Sequence, residues 1–135
     1  MPQIVTNHRD DPQLREAYYR IMAEVFPGIN FRRWYERGHW TEAYMPHSIL
    51  EGDRMIANAS VMRMNVWLES KLVPAVQIGA VGTVEDYRHR GLSRLLMEHV
   101  MERFEPEVEL VFLFANDSVV DFYHKFGFDR AHEAV

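Results

Sequence analysis

Residues 86–100 read DYRHRGLSRLLMEHV, and the reading of the fold turns on this stretch. Three arginines (Arg88, Arg90 and Arg94), a histidine and a glycine crowd the point where an amphipathic helix begins. The first turn of a helix already carries partial positive charge from its unpaired N–H groups, so acidic neighbours are the favourable ones there. Cations at that position make their own helix slightly less stable. An anion from outside the chain resolves the conflict. The backbone N–H groups of Arg88, His89, Arg90, Gly91, Leu92 and Ser93 would then form a phosphate or pyrophosphate cradle, with Gly91 allowing close approach and Ser93 adding a hydroxyl. No Gly-Lys-Ser/Thr follows, so this is not a Walker loop, and the further glycines of a dinucleotide fingerprint are missing. The plain alternative is a solvated basic turn ahead of a core helix. The rest of the chain decides between them.

Around the turn, the periodicity predicts a strand from Leu72 to Val84 and a helix from Gly91 to Phe104. Leu92, Leu95, Leu96, His99, Val100 and Phe104 mark one face of that helix, and Glu105-Pro106 ends it. Val108 to Ala115 reads as a short buried strand. Asn116 to Ser118 caps a last helix bearing Val119, Phe122 and Phe126, with Gly127 at its C′ position. Upstream, Asp11-Pro12 opens a helix with Leu14, Ala17, Tyr18, Ile21, Met22 and Val25 at helical spacing, stopped by Pro27-Gly28. Asn30 caps a shorter helix with Phe31, Trp34 and Tyr35 on one face. Ser48 to Leu50, a turn at Glu51-Gly52-Asp53 and a strand from Met55 to Leu68 form a hairpin, and Glu69-Ser70-Lys71 makes the next turn. Pro74 places the start of the following strand at an edge or a bulge. The result is one α+β domain over residues 1–135 with a partly parallel sheet.

Composition narrows the function. A chain of 135 residues with 47% hydrophobic and 26% charged residues is an ordinary globular domain. A net charge of −5 argues against general nucleic-acid binding and makes the basic turn stand out. Without cysteine there is no disulfide framework and no thiolate nucleophile, and the seven histidines show no metal-ligand spacing. We expect no metal site. No apolar run reaches membrane-spanning length and no signal-peptide order is seen, so a cytoplasmic location is the default expectation.

Two motifs carry a resemblance. Arg88-His89-Arg90-Gly91-Leu92-Ser93 resembles the Q/R-x-x-G-x-G/A signature of the GNAT superfamily of acyl-CoA-dependent N-acetyltransferases, with Ser93 departing at the last position. Asn116, followed by Phe122-Tyr123-His124-Lys125-Phe126-Gly127-Phe128, is similar to that family's N…(L/F)Y…GF ending. Val25-Phe26-Pro27-Gly28 and Val81-Gly82-Thr83-Val84 look most like the branch related to the enhanced intracellular survival (Eis) acetyltransferases. The resemblance implies a mixed sheet with flanking helices and acyl-CoA in the cleft between two splayed parallel strands. It implies that backbone groups of Val81 and Thr83 pair with pantetheine, that residues 88–93 hold the pyrophosphate, and that Arg88 and Arg90 reinforce them. Asn116 would bond the pantetheine arm or merely cap its helix, and Tyr123 would give a proton to the departing thiolate.

By the same resemblance, the chain is an N-acetyltransferase moving an acetyl group from acetyl-CoA directly to a primary amine, on a small molecule or a peptide. A CoA-binding or assembly domain without turnover, part of a longer protein, is the alternative reading. An anion-binding module unrelated to CoA is a third. Glu24, His39, His47, Glu85 and Asp86 are base candidates, each also readable as a solvated surface group. Trp34, Tyr35, Trp40 and Tyr44 either line an acceptor pocket or pack helix to sheet. The chain ends eight residues after Gly127. We therefore expect the family's last strand to be absent or short, and a homodimer across the exposed edge beside Phe126 and Phe128.

Overall fold

The computed structural model describes residues 3–114 and 120–129. Asp11 opens α1 (Pro12–Val25), its carboxylate accepting from the N–H groups of Gln13 and Leu14, with Pro12 where no N–H is needed. Asn30 caps α2 (Phe31–Glu36) through the N–H of Arg33. Both starts lie where the caps predicted them. A short strand that the sequence reading missed, β1 (Gln3–Val5), precedes them.

Four further strands follow: β2 (Tyr44–Glu51), β3 (Arg54–Leu68), β4 (Lys71–Thr83) and β5 (Leu110–Leu113). They form one sheet in the order β1-β2-β3-β4-β5, antiparallel except for the parallel β4–β5 pair. β2 begins at Tyr44, earlier than Ser48, and runs through Pro46. That proline sits beyond the end of β1, where β2 has β3 alone as a partner, so no ladder bond needs its missing N–H. The β3–β4 hairpin turns on Glu69 and Ser70, both at positive φ, the geometry that matches the strands' twist. Its arm, from Asn65 to Pro74, projects past β2 and β5 and exposes Trp67, Leu68 and Leu72.

Helix α3 (Leu92–Phe104) packs on one face of the sheet, and α1 with α2 covers the other. Leu96, Met97, Val100 and Phe104 are its buried stripe, and Leu95, expected on that stripe, is exposed instead. Strand β5 is four half-buried residues rather than the buried strand expected from Val108 to Ala115, since β4 alone flanks it among the described residues. Helix α4 (Val120–His124) ends before Phe126. The N–H groups of Lys125, Phe126 and Gly127 tighten the last turn by bonding three residues back, and Gly127 takes the left-handed φ. Phe126 and Phe128 are half-buried and pack against the core, so less apolar surface is open there than the sequence implies. The cap expected at Asn116 to Ser118 lies outside the described residues. Among the described residues no helix is long and apolar enough to cross a membrane, and no group of side chains is arranged to hold a metal ion.

Two core histidines are neutral. Burial lowers His8 to about 4, and burial together with the nearby Arg103 guanidinium lowers His47 to about 3. His47 donates from Nδ1 to the Met45 carbonyl (3.1 Å), leaving Nε2 to accept from Arg103 (3.3 Å). On unfolding both histidines titrate near 6.5, so below that pH the unfolded state binds more protons. Stability should therefore fall as pH drops from about 6.5 towards 5, by up to about 1.4 kcal/mol per pH unit for each histidine. His47→Gln should flatten that slope by about half. Urea midpoints taken across this range check it, and an unaltered slope in the mutant would assign the dependence elsewhere.

Candidate functional site

The parallel pair β4–β5 is joined only from Ala75↔Leu110 to Ile78↔Leu113. β4 then continues through Gly79 to Thr83 paired with β3, and its other edge has no strand partner among the described residues. The backbone groups on that edge are open among the described residues. Within this stretch β4 bulges: Asn58 faces Gly82 and Ser60 faces Gly79, so Ala80 and Val81 together oppose Ala59. Ala80 takes a left-handed φ of 49°, uncommon for a residue with a side chain. Beyond the bulge, Gly82 meets α1 and buried Thr83 faces the start of α3. Val81 is half-buried in the bulge itself.

The turn between β4 and α3 follows directly. His89 and Gly91 are both left-handed, at φ 66° and 76°. No side chain caps α3 and no acidic residue lies in its first turn, so among the described residues no side chain accepts from the first N–H groups of the helix. A Cβ built on Gly91 would meet nothing within 4 Å. The backbone here is therefore open to a ligand, and any side chain at this position would stand over it. These features fit an anion such as pyrophosphate. Leu92 is half-buried against the core, fixing the helix start.

The side chains brace the turn as well as charging it. Arg88 donates from Nε to the Thr83 carbonyl (3.0 Å), and Arg90 reaches the Asp86 carbonyl (3.4 Å) while lying over the Tyr87 ring (4.6 Å). The Thr83 carbonyl is thus already engaged. Ser93 pairs its hydroxyl with Thr83 Oγ1 (2.8 Å), tying strand to helix. Arg94 pairs with Glu98 along the helix (3.0 Å). His89 is exposed.

Tyr123 is half-buried, its ring edge-on to Phe122 (5.2 Å) and Phe128 (6.3 Å), and burial raises its phenol above the usual range. Its surroundings are thus more apolar than its place off the Phe122–Phe126 stripe suggests. The phenol keeps its proton at neutral pH. Asn116, the other residue of that motif, lies outside the described residues.

Of the base candidates, Glu24, Glu85 and Asp86 come together around a cavity of about 370 Å³, shared with Val25, Arg54 and Arg88. Arg54 holds Asp86 with two hydrogen bonds (2.8 and 3.0 Å), which lowers that carboxyl, and also lies 3.5 Å from Glu24. His47 is buried against Phe104 on the α3 face, and His39 is exposed in the loop after α2. Neither lines this cavity. The aromatics Trp34, Tyr35, Trp40 and Tyr44 form one packed cluster, with Trp40 buried and its Nε1 donating to the Tyr44 carbonyl (3.1 Å). They join α2 to the sheet, with Trp40 buried and Trp34, Tyr35 and Tyr44 half-buried. Arg54 and Asn58 were not foreseen as site residues. Asn58, polar within the apolar run from Met55 to Val61, was the available signal.

A mixed sheet whose one parallel pair leads into an uncapped helix start, with helices on both faces, matches the acetyltransferase architecture expected from the sequence. The family model for the acetyltransferase (GNAT) domain matches residues 13–131, and the chain belongs to that family. It is similar in fold to glucosamine-6-phosphate N-acetyltransferase from Arabidopsis thaliana, at 18% identity and a TM-score of 0.75 over 100% of this chain and 96% of that one. A predicted acetyltransferase from Clostridium acetobutylicum, solved with acetyl-CoA, matches at 16% identity and 0.72 over 100% and 94%. An aminoglycoside N-acetyltransferase in complex with CoA matches at 11% identity and 0.77 over 100% and 92%. No curated protein matches the sequence. The finer likeness to the enhanced intracellular survival branch finds no support in these matches.

Gly82 offers a direct test of the packing behind the cleft. A Cβ there would lie 2.7 Å from Val25 Cγ1 and 3.3 Å from the Phe26 ring. Gly82→Ala should therefore destabilise by about 1–3 kcal/mol, as overpacking does. A thermal midpoint equal to wild type would show that the end of α1 yields without cost.

Proposed function

We propose that this domain transfers an acetyl group from acetyl-CoA directly to a primary amine. The observation that carries the reading is the uncapped start of α3, open above Gly91, at the end of the unpaired β4 edge. The N–H groups from Arg88 to Ser93 would hold the pyrophosphate, with Arg88 and Arg90 adding charge-assisted bonds roughly twice as strong as neutral ones. Backbone groups around Val81 and Thr83 would pair with the pantetheine arm. Only part of that edge is available, because Arg88 occupies the Thr83 carbonyl.

The chemistry requires a neutral amine, stabilisation of a tetrahedral oxyanion, and a proton at the departing sulfur. The nitrogen–carbon bond forms, the carbon–sulfur bond breaks, and the proton lost by the amine balances the one gained by the thiolate. Tyr123 would hydrogen-bond the thiolate. With its phenol above about 10 and a thiol near about 8.5, complete transfer is uphill by at least about 2 kcal/mol, so stabilisation of the developing charge is its main contribution. Glu24 and Glu85, at the cavity beside the end of β4, would receive a cationic acceptor. The acceptor is a small molecule or peptide amine, and a homodimer through the outer edge of β5 and a cytoplasmic setting belong to the same proposal.

The alternative is a CoA-binding domain without turnover. The partial hold on the cleft edge by Arg88 favours neither reading, and thiol release across an amine panel separates them. Gly91→Glu puts bulk and negative charge where backbone meets phosphate. In a folded mutant it should abolish acetyl-CoA binding in a calorimetric titration, whereas Arg88→Ala should weaken it less because the backbone donors remain. Unchanged affinity in the glutamate variant would remove the pyrophosphate assignment. Tyr123→Phe removes the donor and keeps the ring, so acetyl-CoA affinity should hold while kcat falls by about 10²–10⁴-fold. An unaltered kcat, with chemistry limiting, would give the proton to water or another group.

A further inference from the structure

The bulge in β4 rests on a buried chain of polar groups that runs from the N-terminal segment to the cleft. Asn58 Nδ2 donates to the Ala80 carbonyl (3.0 Å) and to Ser60 Oγ (2.9 Å). Its Oδ1 accepts from the Ser48 hydroxyl (2.7 Å). Since Ser48 has one proton and gives it to Asn58, the 2.9 Å contact between Ser48 Oγ and His8 Nε2 must be donated by the histidine. Tyr18 adds a longer contact to Ser60 (3.4 Å) and a short one to Tyr44 (2.6 Å). His8, Ser48 and Asn58 have no exposure at all, and Ser60 has 1%. The directions are fixed from the cleft backwards, because a carbonyl can only accept.

The bulge decides what the cleft contains. A strand's side chains alternate between faces, and one extra residue reverses every later one. Gly79 lies opposite Ser60, on the α1 face, and Gly82 lies opposite Asn58 on the same face, three residues later instead of two or four. Without the bulge Thr83 would turn towards α1 and lose Ser93, while Gly82 would turn away from Val25 and Phe26. The left-handed Ala80 costs about 1–2 kcal/mol on its own, so the bulge needs a compensating contact. Asn58 makes that contact with the Ala80 carbonyl.

We propose that Asn58 is a positioning residue for acyl-CoA binding, which fixes the bulge at Ala80–Val81 and with it the facing of Gly82 and Thr83 at the cleft. The role rests on the acetyl-CoA reading above, but the claim about the bulge has its own readout.

Asn58→Asp tests it through pH. The titratable groups around the position are His8, reached through Ser48, and Tyr18 and Tyr44. In wild type, burial keeps His8 neutral and raises both phenols, so none of them changes charge between about pH 5.5 and 8. As a carboxylate, the new side chain repels the Ala80 carbonyl. Protonated, it again offers one O–H to that carbonyl and an acceptor to Ser48. Relative to wild type at each pH, acetyl-CoA affinity should fall at least about tenfold at pH 8 and recover to within about threefold at pH 5.5, as burial raises the carboxyl. Amide exchange at Gly79 to Thr83 should quicken at pH 8 and slow again on the same titration. Asn58→Ser, too short to reach Ala80, should show the pH 8 behaviour at both pH values.

A folded Asn58→Ser variant with wild-type affinity and wild-type exchange overturns the proposal. So does an Asn58→Asp variant that binds normally until it unfolds, which would leave Asn58 a stability role alone. If wild type itself takes no acetyl-CoA, the functional reading falls, and exchange at Gly79 to Thr83 in the two variants still decides whether Asn58 holds the bulge.

Discussion

Side chains on a strand alternate with a period of two, so the face that a residue presents depends on every residue before it in the ladder. In β4 this constraint is broken once, at Ala80 and Val81, and the broken parity is what joins the two halves of the molecule. Before the bulge, Val76 and Ile78 are core residues opposite Arg63 and Val61. After it, Thr83 reaches the first turn of α3 and Gly82 receives the end of α1. The same stretch loses β5 as a neighbour, so the strand edge opens where its facing changes. The bulge thus lies between the paired part of that edge and the start of α3.

The electrostatics of the turn follow from where α3 begins. Without an N-cap side chain or an acidic first turn, the helix gives up stabilisation that a serine or aspartate would supply, commonly about 1 kcal/mol. Arg88 and Arg90 add to the positive potential, yet each also ties back to a backbone carbonyl, which keeps the loop shaped without an anion in place. Arg54 braces the same loop from below by its paired bonds to Asp86 and its position near the Tyr87 ring. The carboxylates near the cleft differ accordingly. Asp86 is committed to structure, while Glu85 and Glu24 sit at the cavity with less to hold them.

Much of this was legible in the sequence because it is local. Asp11-Pro12 and Asn30 cap their helices by contacts two or three residues away, and Glu69-Ser70 turns its hairpin within a few residues. The cradle from Arg88 to Ser93 is likewise one contiguous segment. What escaped depends on partners far along the chain. β1 exists because Gln3 to Val5 meet Ser48 to Leu50, and Trp40 is buried because Tyr18, Trp34 and Tyr44 converge on it. The bulge requires a side chain on β3 to meet a carbonyl 22 residues later. Gly79 and Gly82 inside one strand pattern were a visible hint of it, since glycine there weakens a strand and often marks a bulge. The end of α4 at His124, ahead of Phe126, had no such hint.

The three tryptophans of this chain sit in unlike settings. Trp34 and Trp40 stack at 6.1 Å within the cluster that joins α2 to the sheet, and Trp40 is 2% exposed. Trp67 stands at the tip of the β3–β4 arm, 74% exposed. Fluorescence from this protein is accordingly a sum of two signals. The indole on the arm emits to the red and is open to a soluble quencher, while the stacked pair, with Trp40 buried and Trp34 half-buried, is less accessible and reports on whether α2 remains seated. With the arm tryptophan replaced by phenylalanine, the remaining emission becomes an intrinsic gauge of that helix alone, free of any label.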